Sequence, residues 1–220
     1  MTTLYSEMVT CAVCGTESRH TAVGSTNAFG SMDMDMRPPE MKRSTMRTWI
    51  QECPSCSYCA GDLGSLIDEA ESNLKRADYQ TMLTDASISQ LARRFGASSL
   101  LNEWAQNFLE AAWDSIHAAW ECDDLNLPEK AIRFRERAYS LFLKVLDADQ
   151  VIMQEPGTGE VLLADICRRT KHWQQAADHC RDGMNKTNND FIKKLLTAEL
   201  LWADSKDSSC HKVQEAAGVS

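Results

Sequence analysis

Three features are missing from this chain of 220 residues. The first is a surplus of positive charge: 23 Lys and Arg stand against 32 Asp and Glu, for a formal net charge of -9. A nonspecific grip on nucleic-acid phosphate needs an excess of Lys and Arg on some face, so this balance argues against one. The second is an apolar run approaching the roughly 18 residues needed to span a bilayer. The opening MTTLYSEMVT also lacks the basic and apolar segments of a secretory leader, so a cytoplasmic location away from membranes is expected. The third is a catalytic signature. The chain contains no His-Glu-x-x-His, phosphate loop or nucleophile elbow, and His117, Asp123, Asp124, His172 and His179 form no recognisable motif. His172 and His179 are spaced to share a helix face, but two imidazoles alone make a weak metal site. A non-enzymatic role is therefore expected.

Cysteine, by contrast, is abundant. There are nine, an odd count, and in a reducing compartment clustered thiols more often bind metal or do redox chemistry than form structural disulfides. Cys11-Ala-Val-Cys14-Gly and Cys53-Pro-Ser-Cys56 place two Cys-x-x-Cys turns 38 residues apart. Each turn presents two sulfurs together, and two such knuckles complete a tetrahedron around one zinc ion. The long loop between them is acceptable because closure entropy rises slowly with length. Gly15 follows the first knuckle where a positive φ is often required, and Ser57 takes the corresponding place after the second. Four thiolates leave no coordination position for water or substrate, so the expected zinc is structural, with Cys11, Cys14, Cys53 and Cys56 as its ligands. A region of about 60 residues with few large aliphatics would use such a metal as its core.

An iron-sulfur cluster, a thiol redox pair and reduced buried cysteines are the alternatives. The ribbon-like spacing disfavours the first, and the absence of a βαβ unit disfavours a thioredoxin-like pair. Cys59 forms a third, overlapping Cys-x-x-Cys with Cys56, and is expected to pack inside beside Tyr58. His20 is a further possible ligand, read as an ordinary surface residue.

The chain changes character near Asp62 to Ser65. Residues 1–63 hold seven of the ten methionines and show little helical periodicity. Residues 64–220 carry apolar residues three and four apart, the pattern of amphipathic helices, predicted at about 65–83, 87–105, 108–124, 127–146, 158–170, 172–186, 188–204 and 208–217. Pro128 is placed near a helix start, with Pro156-Gly157 and Asn188-Asn189 between helices. Ala118-Ala119, Cys122, Ala131 and Ala138 recur as Leu163-Ala164, Cys167, Ala176 and Gly183 at a constant offset of 45. Small residues so spaced let antiparallel helices approach closely and pairs stack, as in tetratricopeptide repeats of longer period; an irregular helical bundle is the alternative. The expected fold is mainly α, with a small N-terminal zinc-ribbon-like β region followed by an all-α tetratricopeptide-like domain. Trp104, Trp113, Trp120, Trp173 and Trp202 fall at helical spacing and are expected in the core.

Between the knuckles, Met32-Asp33-Met34-Asp35-Met36 alternates with a period of two, which predicts a short strand with methionines on one face and aspartates on the other. The methionines would fill irregular space against a neighbouring surface rather than bind Cu(I). Asp33, Asp35, Arg37 and Glu40 would form either a binding site or, preferably, a network pinning the loop. Thr45 to Gln51 reads as a strand.

Cys-x-x-Cys-Gly, the loop STNAFGSMDMDMRPPE, the run TWIQECPSCSYCAGDL and the helices after it together resemble the uncharacterised bacterial proteins of domain-of-unknown-function family 2225. The motif resemblance covers about residues 9–63 and extends more loosely over the helices. It implies a zinc-ribbon-like start, tetratricopeptide-like helices, and Cys11, Cys14, Cys53 and Cys56 as ligands. Ser57 departs from a family-like Cys-Pro-x-Cys-Gly-Tyr run. The resemblance implies no activity. The expected role is a scaffold that binds a protein or peptide; the alternatives are a redox- or metal-responsive thiol switch and a nucleic-acid-binding ribbon. Residues 1–62 carry five Lys and Arg against seven Asp and Glu, which weighs against the last, although Lys42, Arg43 and Arg47 form a local basic cluster.

Overall fold

In the computed structural model, which describes residues 1–218, Thr3–Thr10 (β1) and Glu17–Ser25 (β2) form an antiparallel hairpin, with Leu4 opposite Val23 and Thr10 opposite Glu17. Its turn is the first Cys-x-x-Cys. A shorter hairpin, Gln51–Glu52 (β3) and Cys59–Ala60 (β4), encloses the second. The fold is otherwise α-helical: α1 (Ala70–Asn73), α2 (Ala77–Thr84), α3 (Gln90–Trp104), α4 (Phe108–Asp124), α5 (Pro128–Asp147), α6 (Thr158–Arg169), α7 (Trp173–Lys186), α8 (Asp190–Asp204) and α9 (Val213–Ala217). The predicted mainly α class with a small N-terminal β region is thus the observed one.

Three local expectations are corrected. The predicted helix 65–83 starts late, at Ala70, and is interrupted into α1 and α2 where Arg76 is extended (ψ 143°) and Gln80 Nε2 donates to Leu74 O. Tyr58 Oη donates to Ser65 O and accepts from Ile67 N, and the Asp62 carboxylate accepts from Gly64 N and Ser65 Oγ, which holds residues 62–67 in a turn. The predicted strand from Thr45 to Gln51 is instead a 3-10 helix, Arg43–Thr48, with strand only at Gln51. Thr45 Oγ1 donates to Lys42 O, Thr48 Oγ1 donates to Thr45 O, and Trp49 Nε1 donates to Thr45 Oγ1, so local side-chain bonds outcompete a ladder. The Met-Asp run is a turn with one isolated bridge, from Asp33 to Lys212, and Met36 has a left-handed φ of 67°. Asp33, Met34 and Asp35 are all buried, so the two-faced alternation does not occur.

Residues group into two compact units, one of Met1–Asn27 with Met41–Leu141 and one of Ala28–Glu40 with Phe142 onward. The last strand ends at Ala60 and the first helix starts at Ala70, whereas the compact units divide within α5 and at the two ends of the 28–40 loop.

In the first unit Cys11, Cys53, Tyr58, Cys59 and Leu63 share one apolar cluster with Ala70, Leu74, Tyr79, Ala97 and Leu101 from the helices. The cysteines of this cluster are therefore buried by the helices as well, α1, α2 and α3 supplying much of the surface they pack against. Ser89 caps α3 by accepting from Ala92 N and donates its own proton to Glu121 Oε1 on α4. Arg135 of α5 forms a two-pronged ion pair with Asp123 of α4.

In the second unit Met34 is fully buried against Val161, Ile192, Leu195, Leu196 and Ala216, so one of the loop methionines does fill a helical surface. Arg168 on α6 is buried at 0% exposure. It donates to Asp165, to Glu199 of α8, and to the carbonyls of Asp207 and Ser209. Every branch of the guanidinium is engaged, which is the condition for holding such a charge inside a protein.

The small residues singled out at the offset of 45 are all buried. Gly183 has a packing reason: a Cβ there would lie 2.8 Å from Glu160 Cβ and 2.9 Å from Leu196 Cδ1. The helix ends repeat as well. Gln106, Asn126, Asp149, Lys171 and Lys206 each take a left-handed φ, and the next amide donates to a carbonyl five residues back, as in Leu127 N to Cys122 O and His172 N to Cys167 O. This is the Schellman ending, here closed by residues other than glycine. Of the five tryptophans expected in the core, Trp120 is fully buried and the other four are half-buried.

Candidate metal centre

The two knuckles are built alike. Cys11 N donates to Thr16 O and Gly15 N to Cys11 O; Cys53 N donates to Tyr58 O and Ser57 N to Cys53 O. Gly15 has a φ of 73° and Ser57 a φ of 59°, so the serine occupies the left-handed position that the sequence marks as glycine's. Each Cys-x-x-Cys is thus bent by a hairpin that closes two residues beyond the second cysteine.

The Sγ atoms of Cys11, Cys14, Cys53 and Cys56 all lie within 4.8 Å of one another. Cys11 and Cys56 are 3.7 Å apart and Cys14 and Cys53 are 3.5 Å apart. A tetrahedron with metal-sulfur bonds of about 2.3 Å has edges of about 3.8 Å, so the donor set fits a thiolate-bound ion. The sulfurs are much too far apart for disulfides, whose bond is about 2.05 Å, and all nine cysteines are free. The four cysteines can therefore hold a metal ion. No other group of three or more His, Cys, Asp or Glu side chains converges in this way among the described residues.

The electrostatics differ across the cluster. Cys14 is exposed, and hydrogen bonding with the Thr16 hydroxyl and backbone lowers its pKa to about 6. Burial raises the thiols of Cys11 and Cys56. Without a cation, four neighbouring thiols cannot all ionise, because each thiolate disfavours the next; a divalent ion reverses that penalty.

Cys59 lies outside the four. It is fully buried beside Tyr58, its Sγ is 3.6 Å from Ser57 O, and burial raises its pKa to about 12. His20 also lies apart from the group, on β2, with Nε2 2.8 Å from Ser18 Oγ.

No protein-family model, curated protein or solved structure matches this chain. The reading of the site therefore rests on its geometry.

The remaining candidates are dispersed or structural. Asp35 is fully buried and pairs with Arg169 of α6 at 2.8 Å, while Arg37 N donates to its other oxygen at 3.4 Å and Asp33 N donates to Arg37 O. This acidic-basic group pins the loop to its own unit, the preferred expectation. Its fourth member, Glu40, is exposed, and its carbonyl accepts from Phe29 N. His117 sits among Trp49, Phe95, Trp113 and Trp120, with ring centroids 5.0 to 6.3 Å away. Asp123 holds Arg135, His172 Nδ1 lies 2.9 Å from Thr170 Oγ1, and burial lowers the pKa of His179. Among the described residues no helix is long and apolar enough to cross a membrane.

Sequence reasoning missed Tyr79, whose hydroxyl is the main polar tie between the second knuckle and α2. Nothing near residue 79 in the chain signals that role. Thr16 was more accessible to inference, since it follows Cys14-Gly15 as Tyr58 follows Cys56-Ser57.

Proposed function

We propose that the chain is a zinc-binding protein in which Cys11, Cys14, Cys53 and Cys56 hold one structural Zn2+, and that its helical part serves as a non-enzymatic scaffold for a protein or peptide in the cytoplasm. The observation that carries the first half is the closed four-sulfur cluster at the turns of two hairpins. Zinc suits such an all-thiolate tetrahedral set, and bound there it would supply a crosslink and charge neutralisation and leave no position for substrate. The second half rests on helices closed by the same turn and on small buried residues recurring at one offset, features that support tetratricopeptide-like stacking and a surface for an extended partner. The motifs around the knuckles keep the chain, on this reading, with domain-of-unknown-function family 2225.

Elemental analysis of protein purified without added metal, with Cys53→Ser alongside, tests the metal half. About one zinc per chain, absent from the variant, is expected; iron, or no metal, overturns it. The scaffold half is tested by crosslinking and affinity capture with the full chain. A partner whose capture survives changes in the ribbon and fails with changes on the helical surface is expected, and turnover of a small substrate at the helices would overturn it. A thiol switch is less well supported, because Cys59, the thiol best placed in sequence to resolve an oxidised ligand, is fully buried.

A further inference from the structure

The face of the first unit formed by β2, the 3-10 helix and α3 contains a cleft of about 290 Å³ walled by Arg19, Arg47 and Arg94, with Thr21 and Thr48 among its other lining residues. A single carboxylate, Glu52, lines it, and that carboxylate is engaged: Arg94 Nε donates to Glu52 Oε2 at 2.8 Å and Gln90 Nε2 reaches the same oxygen at 3.4 Å. Among the described residues, Arg19 and Arg47 have no carboxylate partner, and both are exposed. Three guanidinium charges less one carboxylate leave two positive charges in one small concavity of a chain whose net charge is -9.

We propose that this cleft binds the terminal phosphate of a small phosphate monoester. The charge matches, since a monoester carries about -1.5 to -2 near neutral pH. The donors match too. Guanidinium groups present planar forks suited to phosphate oxygens, Arg94 is already oriented by Glu52, and the Thr21 hydroxyl supplies a neutral donor. The size suits a phosphate with a small appendage, being near the lower end for ligand pockets. A phosphodiester strand is the less suitable occupant, because each of its phosphates carries a single charge and the surrounding ribbon is net acidic. None of the four clustered cysteines lines it.

The test is calorimetric titration of the full chain with inorganic phosphate, adenosine 5′-monophosphate, adenosine, and a single-stranded oligothymidylate lacking a terminal phosphate. Binding of the first two and not of adenosine is expected, with affinity lowered about tenfold or more in the double variant Arg19→Glu with Arg47→Glu. Both positions are exposed, so the thermal transition of the variant should stay close to that of the wild type; if it does not, Arg19→Gln with Arg47→Gln replaces it and should still weaken binding several-fold. No binding of phosphate or monophosphate, or equal binding by a folded variant, overturns the proposal. So does tighter binding of the oligothymidylate, with a salt dependence of about 0.7 per phosphate contacted, which would make the face a nucleic-acid track.

Discussion

The hydroxyl of Tyr79, on α2, donates to the carbonyl of Ser57 at 2.7 Å, and the Tyr79 hydroxyl oxygen accepts from Cys59 N at 3.1 Å. One buried side chain thus holds both backbone groups that flank Tyr58 and fixes the exit of the second knuckle. Tyr79→Phe leaves the Ser57 carbonyl and the Cys59 amide without this partner in a buried setting, at a cost of about 1–3 kcal/mol. Urea denaturation should show a lower midpoint for the first unit. Metal content should be retained but released faster to a chelator, because the four sulfurs remain while the turn that aims two of them loosens.

Ser57 itself gives the opposite sign. A residue with a side chain in the left-handed region costs roughly 1–2 kcal/mol, part of which glycine regains through its freedom there. Ser57→Gly keeps the carbonyl that Tyr79 needs and should raise stability by about 0.5–1 kcal/mol, whereas Ser57→Val should lower it, since a β-branched residue is strained at positive φ. Denaturation of the two variants side by side checks the prediction, and equal effects would mean that the φ of 59° carries no strain.

What could be read from the chain depended on how locally each feature is determined. Helices α3 to α8 follow the apolar period closely, and Pro128 and Gly157 mark helix starts, because periodicity and terminators act within a few residues. The four sulfurs were legible because Cys-x-x-Cys is a turn as well as a ligand pair. The loop from Met32 to Met36 was not, because its period of two is overridden by contacts over 130 residues away in sequence, such as Asp35 with Arg169. Likewise the late start of α1 follows from Tyr58 reaching Ser65 and Ile67, which no helical propensity encodes.

The Asp35–Arg169 pair should therefore matter to the second unit as a whole. Asp35 is fully buried, and removing one partner of a buried pair costs about 3–5 kcal/mol. Arg169 retains some access to water, at 10% side-chain exposure, which places Asp35→Ala at the lower end of that range. A double-mutant cycle with Arg169→Ala should give a coupling of about 1–3 kcal/mol. Additive effects would show that Asp35 and Arg169 do not act as a pair, and would leave the loop to Met34 packing and its backbone bridge to Lys212.

Glu199 provides a pH dependence. Burial raises its pKa to about 8, with Asp165 beside it acting in the same direction and Arg168 opposing. The unfolded carboxyl titrates near 4.3, so the folded state binds the extra proton between these values. Stability from this group is full below about pH 4.3 and is lost as pH rises toward about 8, by an amount on the order of a few kcal/mol. The denaturation midpoint of the second unit should fall across that window, and Glu199→Gln should flatten the slope while leaving a hydrogen bond for Arg168. An unchanged slope in the variant would assign the dependence to another group.

The nearest sharp contrast at the four-sulfur cluster is between Cys53 and Cys59, six residues apart and both fully buried. Cys53 Sγ belongs to the four-sulfur group, whereas Cys59 Sγ points to the Ser57 carbonyl and its thiol stays protonated at neutral pH. Cys59→Ala should keep about one zinc per chain and lose about 1–2 kcal/mol of packing. Cys53→Ser should lose the metal, and with it a binding free energy on the order of 10 kcal/mol that is coupled to folding in structural zinc sites. Part of that loss should be recovered, because the knuckles also pack on Leu74, Tyr79 and Leu101, so the variant's first unit should melt early while its α3 and α4 remain helical by circular dichroism. Loss of zinc from both variants would place the Cys59 thiol within the metal site, and loss from neither would remove the four sulfurs as its ligands.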